Sequence, residues 1–338
     1  MPRYDFDMFT IGAGSGGVAG SRRAGGYGAR VAICEESRVG GTCVMRGCVP
    51  KKLLVYGAQF SDAFADAAGF GWNVPVPSFD WPSLIAAKNN ELDRLEQIYR
   101  TMLKNGKVEL IEGHGIVTDP HTIEVGSRTY TADKIMIAAG GHPTVPDIPG
   151  IEHVISSNEA LDLPSLPRRI VIVGGGYIAV EFAGIFRGFG SEVVEIIRRE
   201  ELLYGFDDDL RVALAQEMRN RGIEIHARTQ IARIEKAPRE GYTVFTADGR
   251  EISADLVMYA TGRKPNTRSL GLAEAGVELN HEGAVVVDEW QRSTVPNIYA
   301  VGDVTDRLNL TPVAIAEGRA IAETLYNDNP IKMDHKDV

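Results

Sequence analysis

Residues 7–20 read DMFTIGAGSGGVAG. Met8, Phe9 and Ile11 form a short apolar, β-prone run that stops at Gly12. Glycines follow at 12, 14 and 17, and a helix-compatible stretch extends through Ala29. ARVAICEES, residues 29–37, is a second apolar run that ends in acid. Strand, glycine-rich turn, helix and strand within about 30 residues make a βαβ unit. Each glycine has a separate physical task. Gly12 permits the tight turn, Gly14 lets backbone approach a pyrophosphate, and Gly17 lets helix and strand pack closely. A helix beginning beside Ser15 offers free N–H groups and the positive end of its dipole to phosphates. Glu35, 21 residues past Gly14, stands where an acid can hydrogen-bond ribose hydroxyls.

The pattern recurs in RRIVIVGGGYIAVEFAGIFRGFGSEVVEIIRRE, residues 168–200. Here Gly174, Gly176 and Ala179 take the three fingerprint positions, and alanine is tolerated at the third. The repeat predicts an α/β protein with two Rossmann-like dinucleotide-binding domains. The second unit's closing strand ends in Arg198 and Arg199 rather than acid. Arginine accommodates a 2′-phosphate, so NADPH is expected over NADH. A solvated basic strand end is the plainer alternative, and Glu195, Glu200 and Glu201 dilute the local positive field. Two nucleotide sites fit either two nicotinamides or FAD plus NAD(P). NIYAVGD, residues 297–303, places Asp303 at a strand end before a helix beginning near Thr311. An acid there can bind a ribityl chain and the helix end can face a flavin carbonyl. It is also an ordinary place for a turn aspartate.

The 338 residues suffice for two or more domains, and 44% hydrophobic with 24% charged residues is a globular composition. A net charge of −10 disfavours nucleic acid and anionic membrane as partners. No apolar run approaches the roughly 18 residues of a membrane span, and three cysteines do not make a secreted disulfide scaffold. A cytoplasmic protein is expected. Apolar positions at helical spacing predict a long helix over 81–104. Residues 108–138 and 229–260 read as antiparallel strands, with a hairpin at Ala247-Asp248-Gly249. Five prolines between 143 and 167 mark a linker.

GGTCVMRGCVPKK, residues 40–52, carries Cys43 and Cys48. A zinc site needs about four ligands, and neither Cys34 nor a histidine cluster supplies them, so no metal is expected. Inert core thiols and a redox disulfide stay open. In an ideal helix, residues five apart rise about 7.5 Å, beyond the roughly 7 Å limit for disulfide Cα atoms. A disulfide therefore requires this segment to be distorted or to precede the regular helix. Gly47 and Pro50 suit such a helix start. A helix start with Lys51 and Lys52 following would depress the pKa of Cys48.

Taken with GAGSGG, GGGYIAVEFAG, ATGRKPNT and AVGDVTDRLNLTPVAIAEGR, this segment resembles the FAD-dependent pyridine nucleotide-disulfide oxidoreductases, and within them most closely the glutathione reductases. The similarity runs over essentially the whole chain. It implies a three-layer ββα, FAD/NAD(P)-binding fold, with an FAD-binding domain over 1–147 and 282–338 and an NADPH-binding domain over 152–281. It implies electron flow from NADPH through FAD and the Cys43–Cys48 disulfide to glutathione disulfide. By the same resemblance Cys48 faces the flavin and Cys43 exchanges with substrate. Lys51 and Glu181 stand at the flavin N5, and Tyr177 caps the nicotinamide pocket. Gly12, Gly14, Ser15, Gly17, Glu35, Thr42, Asp303 and Thr311 contact FAD. Gly174, Gly176, Ala179, Arg198, Arg199 and Arg263 serve the nicotinamide cofactor. Ser15, Ala19, Arg22, Tyr99 and Arg319 line the glutathione site, where small Ala19 and cationic Arg22 suit glycine carboxylates.

Three departures from the family pattern carry expectations of their own. Tyr204 occupies the place of a second arginine, so the NADPH preference is expected to be reduced. The usual ATGG turn reads Ala138-Ala139-Gly140-Gly141. No segment matches the interface domain that in the family forms the homodimer and donates the acid–base histidine. On this reading the chain lacks that domain, behaves as a monomer or aggregates, and has impaired turnover. The alternatives are an FAD- and NADPH-binding scaffold without disulfide turnover, or a related reductase of lipoamide-type substrates.

Overall fold

The computed structural model describes residues 4–75, 77–336 and 338. They form two compact units, one within 1–45, 91–142 and 263–338, the other within 46–90 and 143–262.

The first unit is built on β1 (Phe6–Ile11), α1 (Ser15–Gly26) and β2 (Val31–Glu35). To these it adds β3 (Val108–Glu112), β4 (Gly115–Asp119), β5 (Thr122–Val125), β6 (Arg128–Ile137), β16 (Ile298–Ala300) and α7 (Thr311–Tyr326). Strands β3, β2, β1, β6 and β16 pair in parallel in that order. Both faces of this sheet are covered, which is why its strands read as continuous apolar runs. Met8, Ile33 and Met136 point into the core shared with α1 and α7. Phe9, Ala32, Ile135 and Ile137 point into the opposite core. That second core lies under an antiparallel meander of β4, β5 and the first residues of β6. Burying a side chain such as Phe9, which is fully enclosed, stabilises by about 1.5–3 kcal/mol.

Strand β6 serves both layers. Its start pairs antiparallel with β5, Val125 opposite Arg128, and its remainder runs parallel to β1 from Ala132 opposite Phe6 to Ile137 opposite Ile11. The antiparallel expectation over 108–138 is thus correct only for the middle of the segment. Strand β3 instead runs parallel to β2, Val108 opposite Val31. The physical reason is the long helix α3 (Trp81–Asn105) that precedes it, because a helical crossover delivers a strand in parallel whereas a tight turn delivers it antiparallel.

The second unit repeats the plan. Strands β8 (Arg169–Val173), β9 (Glu192–Ile196), β10 (Ile223–His226) and β14 (Leu256–Tyr259) form a parallel sheet in the order β10-β9-β8-β14. Helices α5 (Tyr177–Gly188) and α6 (Asp208–Asn220) connect its strands. An antiparallel sheet of β11 (Ile231–Lys236), β12 (Tyr242–Thr246) and β13 (Glu251–Ala254) supplies the third layer. The hairpin at Asp248-Gly249 joins β12 to β13 as the turn residues imply. Residues 256–259 again depart from the antiparallel expectation, since β14 leaves the meander and pairs in parallel with β8, Leu256 opposite Ile170. Helix α2 (Cys48–Ala67) and the start of α3 bring Leu54, Trp81 and Ile85 into the core of this unit. The Trp81 indole donates to Leu163 O at 2.7 Å. Short α4 (Ser157–Ala160) opens on a capping box made by Ser156 and Glu159. Strands β7 (Gly141–Pro143) and β15 (Arg263–Pro265) form a two-stranded ladder.

Candidate functional site

In the first unit the glycine turn is built as its sequence demands. Gly12 has φ +101°, and a Cβ on Gly17 would lie 2.0 Å from Gly12 O. Nothing larger than glycine fits at either position. Helix α1 starts at Ser15, and no side chain caps its N-terminus at Gly14. Its first N–H groups are thus presented to a ligand, with no acid in the first turn to repel a phosphate. Glu35 ends β2 and accepts hydrogen bonds from Ala13 N at 2.8 Å and Ser37 N at 3.0 Å. Those bonds fix the carboxylate beside the turn.

The cysteine segment is attached directly to this cradle. A Cβ on Gly41 would lie 2.5 Å from Gly14 Cα. One residue later Thr42 begins a single π-helical turn, Thr42–Arg46, that contains Cys43. Gly47 then takes φ −151° and ψ −114°, and regular helix begins at Cys48. The segment is therefore distorted as a disulfide between its cysteines would require. Cys43 is half-buried and Cys48 exposed. The chain passes from the first unit to the second between Met45 and Arg46. Cys34 is different in kind. It is buried in β2, and burial pushes its thiol up to about 12, so it stays a protonated core residue.

Asp303 lies in the short 3-10 turn Gly302–Thr305 that follows β16. Burial raises its carboxyl pKa, and the charge of Arg263 acts in the opposite direction. A backbone N–H of its own turn also lowers it, and a carboxylate has further acceptor sites for a ligand. Arg263 at the head of β15 donates to Gly141 O and, at 3.4 Å, to the Thr42 hydroxyl. Thr311 is the first residue of α7, and no side chain caps that helix. An uncapped helix start on a glycine cradle, an anchored Glu35 and the half-buried Asp303 carboxylate fit the phosphates, ribose and sugar-alcohol chain of FAD.

Ser15, Ala19 and Arg22 share one face of α1 at spacings of four and three residues. Tyr99 of α3 is half-buried, and its phenol is raised by burial, then by the charge of Cys43, while Arg22 lowers it. Cys43, Tyr99 and Arg22 are therefore electrostatic neighbours. Arg319 is exposed on α7 beside Gly318, which packs against Gly16 of α1. An open cleft of about 430 Å³ runs along α3, lined by Arg94, Gln97, Ile98, Thr101 and Met102.

In the second unit Gly174 has φ +142° and Ala179 is buried against it. Helix α5 also starts uncapped, at Gly176, and carries no acid in its first turn. Tyr177, its first residue, is 54% exposed. Lys51 Nζ and Glu181 Oε1 form an ion pair at 2.6 Å, bridging α2 to α5. Arg198 and Arg199 are exposed just past β9, where they fit a 2′-phosphate. Two of the three acids near them, Glu195 and Glu200, do not dilute their field as the sequence suggests. Glu195 is 0% exposed, with neither carboxylate oxygen hydrogen-bonded, and burial raises its pKa to about 8. Glu200 is paired with Arg228 at 2.5 Å.

Three residues have roles that the sequence did not show. Gly41 seats the cysteine segment on the cradle. Tyr204 lies under the Arg199 guanidinium. Buried Glu317 accepts from Gly302 N at 2.7 Å and steadies the Asp303 turn. Only the glycine pair before Thr42 gave a signal, since the ring stack and the Glu317 hydrogen bond are side-chain contacts that residue order does not show. Among the described residues no group of three His, Cys, Asp or Glu could hold a metal, and no helix is long and apolar enough to cross a membrane.

Residues 6–318 match the family model described as pyridine nucleotide-disulphide oxidoreductase. The chain is 50% identical over 345 aligned residues to the chloroplastic/mitochondrial glutathione reductase of Pisum sativum, covering 99% of this chain and 62% of that protein. It is 48% identical to a glutathione reductase of a Nostoc species, covering 99% and 75% respectively. Among solved structures, the copper(II) complex of the HOCl-induced flavoprotein disulfide reductase RclA of Escherichia coli superposes with a TM-score of 0.86 at 31% identity. That match covers 96% of this chain and 71% of RclA.

Proposed function

The chain belongs to the pyridine nucleotide-disulphide oxidoreductase family, and from that premise we propose that it reduces glutathione disulfide with electrons from NADPH. The observation that carries this reading is the contact of Gly41 on Gly14. It joins the Cys43 segment to the dinucleotide cradle, so thiol chemistry and cofactor share one rigid support. The first unit would hold FAD through the Gly12–Gly17 turn, Ser15, Glu35, Thr42, Asp303 and Thr311. The second would hold NADPH through Gly174, Gly176, Ala179, Arg198 and Arg199. Bound FAD supplies two-electron transfer between the nicotinamide and the cysteine pair.

The chain's own residues do the rest. Cys43, as thiolate, attacks one sulfur of the substrate disulfide, forms a mixed disulfide and releases one thiolate. Cys48 attacks the Cys43 sulfur, expels the second thiolate and closes the Cys43–Cys48 bond. The substrate gains two electrons and the dithiol loses two. Cys48 opens α2, and the positive end of a helix dipole favours a negative charge there. The 2.6 Å pair holds the Lys51 ammonium at a fixed point on α2. Tyr177 would cover the nicotinamide site until cofactor enters. Arg22 and Arg319 would bind substrate carboxylates, with Tyr99 packing beside Cys43.

The test follows NADPH oxidation with glutathione disulfide as sole acceptor. Oxidation by the parent chain, abolished in Cys43→Ser and in Cys48→Ser, supports the proposal. NADPH oxidation with quinones but with no disulfide would overturn it and leave a cofactor-binding oxidase. Preference for lipoamide would replace the substrate while keeping the relay. Sedimentation of the same preparation tests the homodimer of the family.

A further inference from the structure

We propose that Tyr204 positions Arg199 as the second cation for the 2′-phosphate of NADPH, restoring through a stacked ring what the missing arginine would have supplied. This rests on the reading of the second unit as the NADPH site. The Arg199 Cζ lies 3.5 Å from the Tyr204 ring centroid. A guanidinium lying flat on a ring uses its face for the contact and keeps its N–H edge for an anion. Among the described residues Arg199 makes no ion pair, so that edge is not committed to a carboxylate.

The platform is itself fixed to the dinucleotide turn. Leu203, adjacent to Tyr204, adopts φ +49° and donates its N–H to Gly175 O at 2.7 Å. A left-handed backbone at a bulky residue is costly and persists only where surrounding contacts impose it. Arg199 is held from the other side, its carbonyl accepting from Arg228 N at 2.9 Å. The Arg228 side chain pairs with Glu200, which removes the acid next in the chain from competition for Arg199. Tyr204 is 71% exposed, so core packing does not explain the ring. A stack on an exposed ring orients a side chain that would otherwise sample many rotamers, and orientation is what a forked contact with phosphate needs.

Calorimetric titration of the FAD-loaded chain with adenosine 2′,5′-bisphosphate and with AMP separates this role from fold and catalysis. Tyr204→Ala is expected to weaken bisphosphate binding about two- to fivefold, the range of an exposed cation–π contact, and to leave AMP binding unchanged. Tyr204→Phe keeps the ring and should bind as the parent does. Tyr204→Ala combined with Arg199→Ala should bind no more weakly than Arg199→Ala alone. Parent-like binding by Tyr204→Ala, or equal additive losses from Ala and Phe, would overturn the proposal while the NADPH reading stands. No preference for the bisphosphate over AMP in the parent chain would instead overturn the NADPH reading itself.

Discussion

The three cysteines differ because their surroundings differ, and reagents should tell them apart. Cys34 is enclosed in β2 and its thiol is pushed up to about 12, so it carries almost no thiolate near neutrality. Cys43 and Cys48 sit on a distorted turn and a helix start. After NADPH reduction, an alkylating reagent should label two thiols per chain, with the third labelled only in denaturant. Mass mapping that finds Cys34 modified in the native protein would contradict this account. Asp303 allows a second residue-scale expectation. A half-buried carboxylate that would accept from FAD should be needed for cofactor retention, so Asp303→Ala should lose flavin on gel filtration at least tenfold more readily than the parent, as the loss of a charged hydrogen bond of about 1.5–3 kcal/mol implies.

Strand β9 carries an anomaly with a measurable consequence. Glu195 stands between Ile172 of β8 and Ile225 of β10 and is fully buried. Its folded pKa of about 8 lies above the unfolded carboxylate value, so between the two the native state binds the extra proton. Stability must therefore fall as pH rises from the unfolded value toward 8 and level off beyond it. Glu195→Val should stabilise the fold and raise Tm, more at pH 8 than at pH 5, with a free-energy gain on the order of a few kcal/mol at the higher pH. Thermal melts of parent and variant across that range decide it, and a pH-independent difference would refute the buried-acid explanation. The pairing of α1 with α7 is a second element-scale matter. A Cβ on Gly318 would meet Gly16 O at 2.4 Å, a backbone atom that cannot rotate away. Gly318→Ala should destabilise by about 1–3 kcal/mol, read as a lower denaturant midpoint at unchanged slope.

The whole chain contains two three-layer units whose glycine turns and uncapped helix starts each present donors to an anion. Binding energy from a ligand that joins only the native state adds to stability as the logarithm of its concentration. Stripping FAD should lower Tm, readdition should restore it, and the shift should grow with free FAD. NADPH should give a further, independent increment that NADH gives less of. A chain whose Tm ignores both cofactors would not be using these cradles. The net charge of −10 sets the background for both sites. Anionic cofactors must be drawn in by local groups, because the overall field opposes them.

Gly12, Gly17 and Gly174 were readable because what requires them is local. A positive φ or a Cβ clash admits one residue type, so the backbone writes itself into the sequence. Strand runs and the long helix were equally local. Pairing was not. The parallel placement of β3 and β14 depends on which strand a crossover delivers them to, and periodicity is the same either way. The distortion between Cys43 and Cys48 could be demanded from five-residue spacing, but only the fold could supply it, through Gly41 resting on Gly14. Charge was the least legible property. Glu195 and Glu200 looked like neighbours that weaken a basic patch. The tertiary structure buries one and pairs the other, because the cost of a charge is set by its dielectric and its partners, and neither is written in a residue's name.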